Sequence, residues 1–209
     1  YKEDEKSASR KIASYFMPEF LQKVPFFGLL LLTLFSLFIA NRQKSRRHWL
    51  GTFPENTKVI EDSFEGLLSI LDKHLSNRSY LFGEKPCLGD FGLWGQLYNL
   101  YQDPTPKALI KKQAPNVEKW IERMLSPKDE GSYESLKTLE LTLSPLLEKE
   151  VAGVFLPWAH ENQIALKRRE KAFKIKVKGN FFEQGPIKYQ SKSFQTLKDL
   201  FKEMDKSPD

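Results

Sequence analysis

Apolar residues recur every three or four positions along most of the chain, which is the period of an amphipathic α-helix. Between residues 57 and 75 the apolar positions form one stripe: Val59, Ile60, Phe64, Leu67, Leu68, Leu71 and Leu75. Residues 2–21 repeat the spacing behind an acidic first turn, and we expect a helix that bends or breaks near Pro18. The pattern predicts an all-α fold.

Residues 83–90 predict the start of another helix. Gly83 can close a turn, Pro86 presets the backbone, Cys87 occupies the N-cap position, and Asp90 follows three residues later, where its carboxylate can reach the cap N–H. We expect Cys87 and Asp90 to cap the helix, with Asp90 contributing most because a thiol is a weak acceptor. The helix that follows is apolar on nearly every side, which predicts a buried core helix whose neighbours approach closely at Gly92 and Gly95.

Strict alternation of apolar residues and lysine marks residues 173–178, and Gly179-Asn180 predicts a tight turn, so a β-hairpin is expected there. A helical pattern precedes it at 142–166, with Pro157 breaking or kinking the helix. A short helix follows at 189–204.

A polar, turn-rich loop at residues 126–132 indicates a boundary. We therefore predict two parts: a helical core over 1–125, and a C-terminal extension over 126–209 that packs on it. The extension holds the long helix, the hairpin and the short helix.

The most apolar stretch is PFFGLLLLTLFSLFIA at residues 25–40, followed by a basic cluster of Arg42, Lys44, Arg46 and Arg47. As a helix, residues 26–40 would rise about 22 Å, against about 30 Å of hydrocarbon core. We expect a buried or partly exposed helix. A membrane span, and surface attachment through the apolar stretch and its basic flank, are the alternatives.

The run YLFGEKPCLGD at 80–90 closely resembles the start of the central helix in the C-terminal all-helical domain of the glutathione S-transferase family. Upstream, residues 38–75 resemble the preceding helix pair of bacterial members. Downstream, the "AP-x-V-x-x-W-x-x-R" helix is matched by Ala114, Pro115, Val117, Trp120 and Arg123. The later segments resemble the C-terminal extension of one bacterial-type subgroup, and the resemblance is strongest between residues 38 and 124.

The resemblance implies a partner that is not visible in this sequence. Family members begin with a thioredoxin-like domain that binds glutathione and carries the thiol-activating residue, whereas this chain opens at Tyr1 without an initiator Met. We interpret it as a fragment that lacks this domain and is inactive alone, so no catalytic residue is assigned. A homodimer in the cytoplasm is also implied, with glutathione as cosubstrate and a small hydrophobic electrophile as substrate.

In the family, the first helix of this domain lines the cleft between the two domains. The resemblance therefore implies six candidate substrate-binding residues: Tyr1, Ser9, Tyr15, Phe16, Trp94 and Tyr98. Each has a structural alternative, since an aromatic stripe at helical spacing also serves core packing.

Charge and composition bear on nucleic-acid binding, disulfide formation and metal binding. The formal net charge of +6 suits an acidic partner, but no nucleic-acid-binding motif accompanies it, and we expect no nucleic-acid partner. The most basic patch lies in the extension: Lys167, Arg168, Arg169, Lys171, Lys174, Lys176 and Lys178. One cysteine excludes an intrachain disulfide. The three histidines are isolated, so no metal site is expected, and His74 is interpreted as a surface residue at a helix C-terminus.

Two main functions remain, and a nucleic-acid contact through the patch at residues 167–178, with an affinity that falls steeply with salt, is a third alternative. The first is the helical domain of a glutathione S-transferase-like protein, which supplies the hydrophobic-substrate wall for conjugation. The second is a non-catalytic helical interaction module, associated with a membrane through residues 26–40.

Overall fold

The computed structural model describes residues 4–19, 24, 26–46 and 51–204. Two compact units are present, one formed by Tyr1–Ser45 and Ser63–Ser144, the other by Arg46–Asp62 and Pro145–Asp209. The predicted fold class is confirmed, because the described residues are mostly helical, with a two-stranded antiparallel hairpin and a C-terminal helix. The predicted division at residue 125 stays a prediction.

The described α-helices, in chain order, are α1 (Glu5–Phe16), α2 (Phe27–Ser45), α3 (Thr57–His74), α4 (Leu88–Tyr101), α5 (Pro104–Gln113), α6 (Pro115–Arg123), α7 (Leu136–Leu146), α8 (Leu156–Arg168) and α9 (Lys188–Met204). Short 3-10 helices cover Pro54–Asn56 and Leu75–Asn77, and a π-helix covers Leu147–Phe155. The strands are β1 (Phe173–Val177) and β2 (Asn180–Gln184).

The core of the first unit is built by α3 to α6 and the loop before α4. Its buried side chains are Leu68, Leu71, Leu75, Tyr80, Leu81, Leu97, Tyr101, Ile110, Ala114, Val117, Trp120, Ile121 and Met124. Prolines stand in the first turns of α5 and α6, where a missing N–H costs nothing. Leu68, Leu71 and Leu75 of this core belong to the stripe predicted for residues 57–75.

Asp90 ties the start of α4 to this core. Its side chain is fully buried, and the capping box with Cys87 is present. The Oδ2 atom accepts a hydrogen bond from the Cys87 backbone N–H at 2.9 Å, and Oδ1 accepts from Leu81 N–H and from Trp120 Nε1, each at 2.9 Å. One carboxylate thus joins the cap, the preceding loop and α6.

The expectation that α4 is buried on nearly every side is wrong. Leu88 is 89% exposed, Phe91 and Leu100 are also exposed, and no atom of another described helix lies within 4 Å of where a Cβ would stand on Gly92 or Gly95. Only the face carrying Asp90, Leu97 and Tyr101 enters the core. Because α4 is apolar around its circumference, periodicity could not indicate which face packs.

Helices α1 and α2 run antiparallel, since Glu5 at the start of α1 pairs with Lys44 near the end of α2, Nζ to Oε1 2.6 Å. Ser36 and Ile39 of α2 are buried. The other faces of α2 expose apolar side chains: Leu29, Leu30, Leu34, Leu37 and Phe38. Among the described residues no helix combines the length and apolarity that a bilayer crossing requires.

In the second unit the hairpin pairs Phe173 with Gln184 and Val177 with Asn180. Its turn residues are Lys178 and Gly179, with φ of 47° and 84°, so the turn lies one residue before the predicted Gly179-Asn180. Two consecutive positive φ values are what a two-residue hairpin turn needs, and Asn180 is free to pair. Lys178 also pairs with Glu150, Nζ to Oε1 2.6 Å.

The π-helix at Leu147–Phe155 lies between Pro145, inside α7, and Pro157, in the first turn of α8. A proline inside a helix removes a donor and crowds the carbonyl four residues earlier. The wider π-turn relieves this crowding, which explains why the predicted break at Pro157 is instead a change of helix type.

Candidate functional site

A cleft of about 440 Å³ lies between α1 and the end of α4, entirely within the first unit. We call it the tyrosine cleft. Its lining residues are Ala8, Lys11, Ile12 and Tyr15 from α1, and Tyr98, Asn99, Gln102 and Asp103 from α4 and the turn after it. The site is therefore built from two helices that are far apart in sequence.

Asp4 holds the two walls of the tyrosine cleft in place. This buried residue precedes α1, and its carboxylate accepts hydrogen bonds from the Thr105 N–H and the Thr105 hydroxyl, each at 3.0 Å. Thr105 stands in the first turn of α5, just after α4 ends. The start of α1 is thus anchored to the end of α4 by charge-assisted hydrogen bonds.

Tyr98 is supported from behind by Trp94. The two rings stack with centroids 4.8 Å apart, and the Trp94 Nε1 donates to the Ile121 carbonyl at 3.1 Å. That hydrogen bond fixes the indole against α6. A ring held this way has little freedom, so Tyr98 offers a preformed aromatic wall.

Tyr15 and Lys11 face the cleft from one side of α1, one helical turn apart. Tyr15 is 74% exposed. Among the described residues no carboxylate lies within ion-pairing distance of Lys11, and the Asp103 carboxylate across the cleft caps no helix N–H. The arrangement can hold a planar apolar group against two tyrosine rings and contact its polar substituents at the rim.

The six predicted substrate-binding residues are distributed unevenly. Tyr15 and Tyr98 line the tyrosine cleft together, and Trp94 supports Tyr98. Ser9 is buried and its hydroxyl donates to the Lys6 carbonyl, and Phe16 is exposed outside the lining. Tyr1 lies outside the described residues.

Sequence reasoning missed several lining residues. Lys11 stands four residues before Tyr15, and Gln102 four residues after Tyr98. Side chains at this spacing share a helix face, so the positions of Tyr15 and Tyr98 in the sequence could have indicated Lys11 and Gln102 as lining residues. No comparable signal linked Asp4 to Thr105, because the two residues meet only in the fold.

Acid–base properties argue against two other groups as nucleophile or base. Burial raises the pKa of the Cys87 thiol, and a protonated thiol is a poor nucleophile. Burial and the hydrogen bond to Glu118 raise the pKa of Tyr101 to about 12. Within the described part of the chain, no group of His, Cys, Asp and Glu side chains is arranged to hold a metal ion.

The prediction that His74 is a surface residue is wrong. Its ring is fully buried, with Nδ1 2.7 Å from Thr142 Oγ1 and Nε2 2.7 Å from the Leu81 carbonyl oxygen. Burial lowers its pKa, so the neutral ring is favoured. The adjacent Arg78 pairs with Glu134, Nε to Oε1 2.8 Å, which neutralises the nearest cation.

Comparison with known proteins gave one family. Residues 42–123 match the family model described as "Glutathione S-transferase, C-terminal domain". The matched segment runs from the end of α2 to the last residue of α6 and holds the Asp90 cap and Tyr98. Neither the curated proteins nor the solved structures contain a match.

Proposed function

Because its residues 42–123 belong to the glutathione S-transferase C-terminal domain family, we propose that this chain is the helical domain of a glutathione S-transferase-like protein. In this proposal the tyrosine cleft is the wall that holds a small hydrophobic electrophile. The observation that carries the proposal is the meeting of Tyr15 and Tyr98 in one cleft, at the helices where the resemblance implies the substrate wall.

The mechanism requires a second domain. We propose that an N-terminal thioredoxin-like domain binds glutathione and ionises its thiol, as in the family, in a cytoplasmic homodimer. The two tyrosine rings would bury the electrophile next to the sulfur. Orientation then replaces a bimolecular encounter, which is the source of the rate gain.

The described residues fit the electrophile better than glutathione itself. Glutathione carries two carboxylates and an ammonium group, whereas the tyrosine cleft offers one cation, Lys11, and one carboxylate, Asp103. Its aromatic rings and the Ile12 side chain suit an apolar ring. The peptide is therefore assigned mainly to the N-terminal domain.

The proposal is tested with the longest natural protein that contains this sequence. Conjugation of glutathione to 1-chloro-2,4-dinitrobenzene is followed for the wild type, Tyr98→Ala and Tyr15→Ala, with Tyr189→Ala as control, since Tyr189 is an exposed tyrosine on α9. We expect the KM for the electrophile to rise about tenfold in Tyr98→Ala, with the KM for glutathione unchanged. Absence of turnover and of glutathione binding in the wild type would end the proposal.

A second function, a non-catalytic module that binds membranes, is favoured by one observation. Helix α2 leaves Leu30, Leu34 and Phe38 exposed on its outer side, and the cations Arg42 and Arg46 follow. An apolar helix face with a basic flank is typical of attachment to anionic lipid surfaces.

Liposome co-sedimentation distinguishes this second function. The double variant Leu30→Gln/Leu34→Gln is compared with Leu136→Gln/Leu141→Gln, which changes two exposed leucines of α7. If α2 binds membranes, the first variant loses binding to vesicles that contain phosphatidylserine and the second keeps it. Equal binding of both variants would exclude this role for α2.

A further inference from the structure

A second cleft, of about 290 Å³, also lies within the first unit, shares no lining residue with the tyrosine cleft, and is not used by the proposed conjugation. We call it the Lys119 cleft. Its lining is almost entirely polar: Leu75, Ser76, Asn77, Arg78, Ser79, Glu84, Asn116, Lys119 and Arg123. Three segments meet there, namely the 3-10 helix after α3, the turn before α4, and one face of α6.

Two cations share the α6 wall of this cleft. Lys119 and Arg123 are separated by four residues and lie on the same face of the helix. Like charges at this spacing repel each other by about 0.2–0.5 kcal/mol. Among the described residues, neither cation has a carboxylate within ion-pairing distance, so no direct ion pair in this part of the chain offsets the repulsion.

Arg123 is held in a defined position. Its Nη1 donates to the Ser79 carbonyl at 2.7 Å, and its guanidinium lies 6.0 Å from the centroid of the Tyr80 ring. The remaining guanidinium N–H groups are left for other acceptors. A preorganised arginine beside a free lysine is a common arrangement for recognising oxyanions.

The other charges of the cleft are already engaged. Arg78 pairs with Glu134, and the Glu84 Oε2 accepts a hydrogen bond from the Ser79 hydroxyl at 2.6 Å. Asn116 is fixed by Asp72, whose Oδ1 accepts its backbone N–H at 2.7 Å. The positive charge of Lys119 and Arg123 therefore exceeds the single carboxylate that lines the cleft.

From this geometry we propose that the Lys119 cleft binds a small phosphorylated molecule through its phosphate group. Lys119 supplies a point charge and Arg123 a planar fork, which together match the oxygens of a tetrahedral dianion. At 290 Å³ the cleft lies just below the range of about 300–1,000 Å³ typical of sites for drug-sized ligands, so the ligand is small. Its exposed cations make binding sensitive to salt.

The test is a ¹H–¹⁵N NMR titration of the 209-residue chain with inorganic phosphate, at ionic strength held constant with sodium chloride. We expect saturable shifts of backbone amides at residues 76–79 and 119–123, and a similar pattern with glycerol 3-phosphate. Lys119→Gln should weaken binding at least about fivefold, because one charge-assisted contact is lost. Lys119→Glu should abolish it.

Lys112→Gln is the matched control, since Lys112 is an exposed lysine on α5 outside the cleft lining. It should bind phosphate as the wild type does. The proposal is overturned if phosphate causes no saturable shifts, if the shifts map elsewhere, or if the Lys119 variants bind as tightly as the control. A difference between free phosphate and glycerol 3-phosphate identifies whether the carrier of the phosphate contributes contacts.

Discussion

The first unit has a closed side and an open side. On the closed side, the polar groups of Asp90, Trp120 and His74 are fully buried and hydrogen-bonded. On the open side, α2 and α4 expose leucines and phenylalanines, and the tyrosine cleft lies between α1 and α4. From this contrast we infer that the buried, hydrogen-bonded polar groups contribute most to the free energy of unfolding. Ligand binding is expected on the exposed apolar surface.

The largest expected effect is on the closed side. Asp90→Ala leaves three buried or half-buried N–H donors without their acceptor, on Leu81, Cys87 and Trp120. We expect a loss of about 3–5 kcal/mol in the free energy of unfolding, measured by urea denaturation. A loss below about 1 kcal/mol would mean that the carboxylate does not organise the core.

His74 gives the closed side a dependence on pH. Its pKa is lowered in the fold below the ordinary 6.5, so the unfolded chain binds the proton more readily, and stability falls as the pH decreases below about 6.5. Replacement His74→Gln should cost about 2–3 kcal/mol at pH 7.5 because two buried hydrogen bonds are disturbed.

The same variant should also remove the histidine contribution to the pH dependence. Urea denaturation of both proteins at pH 7.5 and 5.5 measures this difference directly. If the loss of stability on acidification is identical in the two proteins, His74 is not the group that takes up the proton.

The N-cap of α4 is a weak hydrogen-bond acceptor. A serine hydroxyl accepts a hydrogen bond better than a thiol does at an N-cap, and Cys87 is only half-buried. Cys87→Ser should therefore stabilise the protein by about 0.5 kcal/mol, observed as a small rise in Tm. If the free energy of unfolding instead falls by more than about 1 kcal/mol, the thiol contributes more as a packed apolar group than as a hydrogen-bond acceptor.

The smallest stability effect is expected on the open side. Tyr15→Ala removes a side chain that is 74% exposed, so the free energy of unfolding should change by no more than about 0.5 kcal/mol. A larger loss in urea denaturation would place Tyr15 among the residues that hold α1 in position, and would weaken its assignment to ligand binding.

Features that depend on residues close together in the chain were predicted best from the sequence. The box of Cys87 and Asp90 and the hairpin are local patterns, and both are present. The stripe of α3 is buried at Leu68 and Leu71, whereas Ile60 in its first turn is exposed. The meeting of Asp4 with Thr105 and the burial of His74 depend on contacts across about 70 to 100 residues, which periodicity does not encode. The exposed face of α4 was missed because a helix that is apolar all round has no preferred side.

The most direct test of the account is to locate an aromatic ligand on the protein. Intermolecular NOEs between 1,3-dinitrobenzene and the chain, with ¹³C-labelled aromatic and methyl groups, would show which side chains the ligand contacts. We predict NOEs to the rings of Tyr15 and Tyr98 and to the methyl groups of Ile12, all in the tyrosine cleft. NOEs to Leu30 and Leu34 of α2, with none in the cleft, would contradict it.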